Sequence, residues 1–140
     1  MSAYGVGFHR HNSEIQQEID IHSKDKFSFT FTPHLIPMFR GILTTIYVDL
    51  KKGSSITRLK KTLDDEYFKK RFVKILKTNS LLSTNDVINT NNCSISICKT
   101  KYKNRVIILS AIDNLIKGGA GQAIQNMNLK YNLPISKGLK

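Results

Sequence analysis

Hydrophobic spacing along the chain switches between two periods, and the switches divide it into elements. Ile15 and Ile19 recur four residues apart among Gln16, Gln17 and Glu18, and Ser13 and Gln16 have capping-box spacing. Together they predict a short helix over 14–21. His9 and His11 then stand just before its N-terminus, on one side of an extended segment. Over 26–32 the period becomes two: Phe27, Phe29 and Phe31 alternate with Ser28, Thr30 and Thr32, the clearest half-buried strand pattern in the chain. Pro33 and Pro37 remove ladder donors and predict an irregular crossing. Residues 42–50 read as a strand and Gly53-Ser54-Ser55 as a turn. Ile56, Leu59, Leu63 and Tyr67 then return to helical spacing, with Ser55 as cap. A short strand over 72–76, a polar loop over 79–92, and a hairpin of 93–100 with 105–112 around Lys101–Asn104 follow.

The last element has an internal conflict. Ile116, Ala120, Ala123, Ile124 and Met127 predict an amphipathic helix within 111–128, with Asp113 where an N-cap belongs. Yet Gly118, Gly119 and Gly121 sit in its first turns, each costing roughly 1 kcal/mol against alanine. A backbone that accepts three glycines approaches something closely, either a packed sheet or a ligand. Asn132-Leu133-Pro134 ends the element and a basic, frayed tail follows. About five strands and three helices, joined mostly by hairpins or short helices, predict an α+β fold: a mostly antiparallel sheet with helices on one face.

Composition changes this picture in three places. At 140 residues the chain supports one domain, 1–140, with one core, and no apolar run nears the ~20 residues of a membrane span. Residues 1–8 read as a strand end or linker, as in a chain cut from something longer, and show no secretory leader. The expected location is therefore the cytoplasm. The net charge of +12 is concentrated over 51–77, where ten Lys or Arg face Asp64, Asp65 and Glu66. Such a stretch can attract nucleic acid or an anionic surface, but it lacks an interleaved aromatic platform. A solvated lysine face fits better, and the abundance of Lys, Asn and Ile reads as a compositional lean. Cys93 and Cys98 fall on opposite faces of one strand, so they do not bridge, and their spacing is no zinc motif.

The chemistry-bearing residues cluster early. His9 and His11 admit three readings: surface histidines, two of three metal ligands with His34, or a general base near its working pH. No carboxylate or cysteine completes a metal site. Arg40 offers a planar fork suited to a carboxylate or phosphate.

Three ordered blocks carry a resemblance. His9-Arg10-His11-Asn12-Ser13-Glu14-Ile15, Phe31-Thr-Pro-His-Leu-Ile-Pro-Met-Phe-Arg-Gly-Ile42 and Asp113-Asn-Leu-Ile-Lys-Gly-Gly-Ala-Gly-Gln-Ala-Ile-Gln-Asn-Met-Asn128 resemble the second half of N-acetyl-gamma-glutamyl-phosphate reductase. That family is related to aspartate-semialdehyde and glyceraldehyde-3-phosphate dehydrogenases. The resemblance implies a C-terminal catalytic and dimerisation domain like that of glyceraldehyde-3-phosphate dehydrogenase, one sheet face packing on a second subunit of a dimer or tetramer. It implies NADP-dependent reduction of N-acetylglutamyl 5-phosphate to the semialdehyde and phosphate, a step of arginine biosynthesis. His9, or as second choice His11, is implied as the base beside a cysteine nucleophile. Arg10, Glu14, His34 and Arg40 are implied substrate contacts, and Asn114 and Gly118 cofactor contacts. Asn89 and Asn92 depart from the family pattern, which usually has glycine and an aromatic there. No G-x-G-x-x-G follows a strand, and neither cysteine resembles the nucleophile segment. The dinucleotide-binding domain is thus expected outside this chain, and the isolated chain is expected to be inactive. The competing expectation is a basic binding module, for nucleic acid or another anion, that retains an enzyme-derived fold.

Overall fold

A computed structural model describes residues 1–140. The chain forms two compact units, Met1–Phe39 and Arg40–Lys140.

The larger unit is built on a four-stranded sheet. Its strands are β3 (Ile42–Asp49), β4 (Val73–Ile75), β5 (Cys93–Lys99) and β6 (Arg105–Ile112), in the order β3-β6-β5-β4. β3 and β6 pair antiparallel over their full length, from Ile42 opposite Ile112 to Asp49 opposite Arg105. Residues 42–48 are all β-branched, aromatic or apolar and 106–112 nearly so, which suits that pairing. The β5–β6 hairpin is the predicted one. β4, however, runs parallel to β5, Val73 opposite Cys93, so the sheet is mixed at that edge. A parallel pair needs a crossover, and 76–92 supplies it. There Ser83 and Asp86 form a reciprocal capping box on a short 3-10 turn, Thr84–Asp86, where the sequence pattern showed only a polar loop. Ser96, fully buried, donates its hydroxyl to the Ser80 carbonyl at 2.7 Å and stitches the crossover to the sheet.

Helix α2 (Ile56–Tyr67) starts where expected, with Ser55 Oγ accepting from the Arg58 amide. Lys60 pairs with Asp64 and Lys61 with Asp65 one turn on, so part of the basic stretch is neutralised along its own helix. Leu82, Val87 and Ala111 form the core, with Leu76 and Leu109 against it. Edge strand β3 instead exposes Ile42, Leu43, Ile46 and Tyr47.

The C-terminal helix is broken. Residues Ile116–Ala120 form a π-turn, with bonds from the Gly118 amide to Asp113 O and from the Ala120 amide to Leu115 O. Gly119 (φ −151°, ψ −114°) leaves helical geometry, and α3 runs only over Gly121–Lys130. The single helix expected from periodicity fails there because the apolar spacing survives a π-turn while three glycines lower the cost of making one. A Cβ on Gly121 would lie 2.5 Å from Asn91 Oδ1 and from Ile116 Cγ2, so close packing requires that glycine. The tail is not frayed. Buried Asn128 donates to the carbonyls of Ile135 and Lys137, and the Asn91 amide donates to Lys140 O at 2.7 Å.

The smaller unit holds α1 (His11–His22) and a two-stranded ladder of β1 (Ser2–Ala3) with β2 (His34–Leu35). Its helix begins three residues earlier than the capping pattern placed it. Ser13 is inside the first turn, its hydroxyl donating back to Arg10 O at 3.0 Å instead of capping, and His11 is the first helical residue. The strand expected over 26–32 is not in a ladder. Phe29 and Phe31 are half-buried while Thr30 and Thr32 are exposed, but Phe27 is itself 49% exposed, so the alternation reports burial only over 29–32. A strand also needs a backbone partner, and the side-chain pattern says nothing of that. No helix in either unit is long and apolar enough to cross a membrane.

Candidate functional site

In the larger unit the candidate residues gather where β3 begins and β6 ends. Asp113 is fully buried. Its Oδ1 accepts from the amides of Leu115 and Ile116 at 2.9 and 3.0 Å, and its Oδ2 from the Asn89 amide at 2.8 Å. Arg40 Nε lies 2.9 Å from the same Oδ2, as an ion pair with its N–H off the line of a hydrogen bond. Burial works to raise the carboxyl's pKa. The amides of Asn89, Ile116 and Leu115 and the Arg40 guanidinium outweigh it, holding the group below its ordinary value. Asp113 thus caps the glycine segment as expected, and it also locks the crossover loop and Arg40, which spacing did not reveal.

Two backbone requirements build this cluster. Asn89 has φ +62°, the left-handed region that glycine and asparagine adopt most readily. The departure from the family's glycine therefore preserves the turn. It also adds a partner, since Asn89 Oδ1 accepts from Arg40 Nη1 at 3.0 Å. Gly41 has φ +107°, and a Cβ there would sit 2.7 Å from that of Thr84. The Gly41 amide donates to Asn114 Oδ1 at 2.7 Å. That bond fixes the amide's orientation and leaves Nδ2 as a donor without a partner in this unit. Gly118 is exposed, and a Cβ there would come no nearer than 3.4 Å, to Ile112 Cδ1. The unit's own packing does not demand glycine at that position.

In the smaller unit the two histidines meet. Their rings are 4.7 Å apart, edge to face, and His9 also stacks edge-on with Tyr4 at 5.3 Å and Phe31 at 5.4 Å. Gly5 (φ +56°) makes room, because a Cβ there would lie 2.9 Å from His9 Cδ2. His9 Nδ1 accepts from the His11 amide at 3.2 Å. Neutral His9 in this geometry carries its proton on Nε2. His11 is exposed and makes no hydrogen bond through its ring. Arg10 and Glu14 are exposed at the start of α1, and His34 is exposed in β2 opposite Ala3. Unit by unit, then, His9, Arg10, His11, Glu14 and His34 belong to Met1–Phe39, and Arg40, Asn114 and Gly118 to Arg40–Lys140.

Comparison with known proteins decides the family. Residues 1–114 match the model of the semialdehyde dehydrogenase dimerisation domain. The chain belongs to that family. N-acetyl-gamma-glutamyl-phosphate reductase of Geobacter metallireducens is 46% identical over 139 residues, 99% of this chain and 40% of the relative. The enzymes of that name from Halothermothrix orenii and Staphylococcus aureus are 46% and 41% identical over the whole chain, each covered to 41%. This semialdehyde dehydrogenase dimerisation domain thus spans about 40% of the length of those relatives. The reading of the chain as an enzyme-derived basic module gains no support from these matches. A dimerisation domain points to assembly of like subunits.

Proposed function

We propose that the chain is the catalytic and dimerisation part of an NADP-dependent N-acetyl-gamma-glutamyl-phosphate reductase in the cytoplasm. Residues 1–140 would act there as one domain, with the dinucleotide-binding domain and the nucleophilic cysteine supplied outside them. The observation that carries this is the relatives' shared name together with near-complete coverage of the chain. The reaction is reduction of the acyl phosphate to the semialdehyde with release of phosphate.

The histidine pair supplies proton transfer. A thiol that attacks an acyl phosphate must lose its proton to a nearby base, and a later step must return one. An imidazole whose Nδ1 accepts a backbone amide has no vacant lone pair on Nε2. His9 is therefore better suited to holding its neighbour, and His11, with an exposed ring, to moving the proton. Arg10 and His34 are exposed and available for the substrate's carboxylate and phosphate, and Glu14, an exposed anion, for its amide N–H. Arg40 has Nε beside Asp113 and one Nη1 proton on Asn89, so Nη2 and the second Nη1 proton are left to meet an anion.

Asn114 and Gly118 fit a nicotinamide: one presents an unpaired amide donor, the other a bare backbone that its own unit does not fill. When bound, the cofactor supplies the hydride. Asn114 would orient its carboxamide and Gly118 would permit close approach. Exposed Ile42, Leu43, Ile46 and Tyr47 on β3 suit the subunit contact.

The test is a chimera in which this chain replaces the matching segment of the Geobacter metallireducens reductase. It should oxidise NADPH in the presence of the acyl phosphate, and His11→Asn should lower kcat about a hundredfold or more. The 140-residue chain alone should be inactive. Turnover by the chain alone at the chimera's rate, or a His11→Asn chimera with kcat unchanged, would refute the reading.

A further inference from the structure

At the other end of the sheet, roughly 24 Å along β3 and β6 from Asp113, the β5–β6 hairpin and the turn before α2 enclose a cavity of about 310 Å³. Four cationic side chains line it, Lys99, Lys101, Lys103 and Arg105, and no carboxylate does. Arg105 is balanced by Asp49, which accepts from Nε and Nη2 at 2.7 and 2.9 Å. The three lysines have no acidic partner. Tyr102 stands among them, its ring 5.1 Å from Lys101 Nζ and 6.0 Å from the Arg105 guanidinium.

The walls are held by bonds that do not involve the lysines. Thr100 Oγ1 accepts from the Tyr102 amide at 3.0 Å and lies 2.8 Å from the Arg105 carbonyl. The Leu50 amide donates to Asn104 O at 2.6 Å, tying the end of β3 to the hairpin tip. Ser54 and Ser55 add hydroxyls on the facing side. Three lysines line one cavity with no carboxylate in its lining, and a multiply charged anion seated there would be attracted by all of them at once. The volume is at the small end of ligand sites.

We propose that this cavity binds a small phosphate-bearing anion with at least two phosphate charges, a pyrophosphate or its monoester. The site is distinct from the Asp113 cluster and does not depend on the reductase reading. Inorganic pyrophosphate and ADP serve as probes, each titrated into the ¹⁵N-labelled full chain and followed by amide shifts. Saturable shifts are expected at 54–56 and 99–105 and none at 113–118. Lys101→Ala/Lys103→Ala should weaken binding about tenfold or more. Lys69→Ala/Lys70→Ala removes the same charge outside the cavity and should leave it within about twofold.

Pyrophosphate binding as tight as ADP would identify the inorganic anion. Tighter ADP binding, lost in Tyr102→Ala, would identify an ester stacked on the ring. Non-saturating shifts, shifts centred elsewhere, or equal weakening in the two lysine pairs would overturn the proposal.

Discussion

Asp113→Asn tests the larger unit at its most constrained point. The substitution keeps shape and volume, so packing is unchanged. Asparagine's Oδ1 can still receive the Leu115 and Ile116 amides. The other terminus becomes an NH2 group facing the Asn89 amide and Arg40 Nε, which lie 2.8 and 2.9 Å from Oδ2 in the native chain. Donor then meets donor on both. Stranding one buried amide costs about 1–3 kcal/mol, and removing one partner of a buried ion pair costs about 3–5 kcal/mol. Because Arg40 keeps a small solvent contact and its bond to Asn89, the lower half of the combined range applies, about 4–6 kcal/mol in total. That is a large share of a typical domain's 5–15 kcal/mol. With five tyrosines and no tryptophan, far-ultraviolet circular dichroism under urea is the suitable readout. A loss below about 1 kcal/mol would mean that the carboxylate's charge does not organise this cluster.

The same residue sets a pH dependence. A carboxyl held below its ordinary value of 3.8 in the folded chain binds fewer protons there than when unfolded. Its stabilisation is complete above that ordinary value and disappears as pH falls through the lower, folded one. The native chain should lose stability more steeply than Asp113→Asn below about pH 4, so the gap between them should narrow. A gap constant from pH 7 to pH 3 would contradict the assignment.

Gly121→Ala sets a gain of about 1 kcal/mol in helix propensity against overpacking of Asn91 and Ile116 at 2.5 Å, which costs about 1–3 kcal/mol. A net loss by urea titration is expected. Gly118→Ala meets only ordinary contacts and should gain up to about 1 kcal/mol; in the chimera it should raise the KM for NADPH, and an unchanged KM would remove Gly118 from the cofactor site. Asn128→Ala frees the carbonyls of Ile135 and Lys137, at about 1–3 kcal/mol. Hydrogen exchange at the Asn91 amide, bonded to Lys140 O, should speed up at least as much as for the domain's average amide. Exposed Tyr47→Lys on β3 should shift the chimera toward monomer in sedimentation velocity without changing its far-ultraviolet spectrum.

Local chemistry made much of the larger unit legible. The β3, α2, β5 and β6 spans each matched a pattern confined to one stretch of chain: a β-branched run, a serine cap with helical spacing, or a hairpin turn. What escaped depends on partners distant in sequence. The direction of β4 beside β5 follows from the crossover, and a three-residue strand has no pattern that tells parallel from antiparallel. Likewise the alternation of Phe27, Phe29 and Phe31 marks a shared face but neither a ladder to join nor where burial stops, since Phe27 is exposed. Asp113 was legible as a cap because its Leu115 and Ile116 partners are local; its hold on Asn89 and Arg40 was not, because they lie 24 and 73 positions away.

The asparagines show how composition can conceal specificity. Their abundance alongside lysine and isoleucine reads as a general lean of the sequence, yet three occupy left-handed backbone: Asn79, Asn89 and Asn132 at φ +64°, +62° and +53°. A side chain with a Cβ takes up that conformation at a cost of about 1–2 kcal/mol, which asparagine offsets by local hydrogen bonding. Asn79 and Asn89 use their amides over a longer reach, accepting from the Lys99 amide at 2.9 Å and from Arg40 at 3.0 Å. Two more, Asn91 and Asn128, are fully buried and fasten α3 and the tail. A lean toward asparagine thus supplies turns that glycine would otherwise make. Unlike glycine, it brings an amide that reaches a neighbour, and at Asn89 that amide is part of the candidate site.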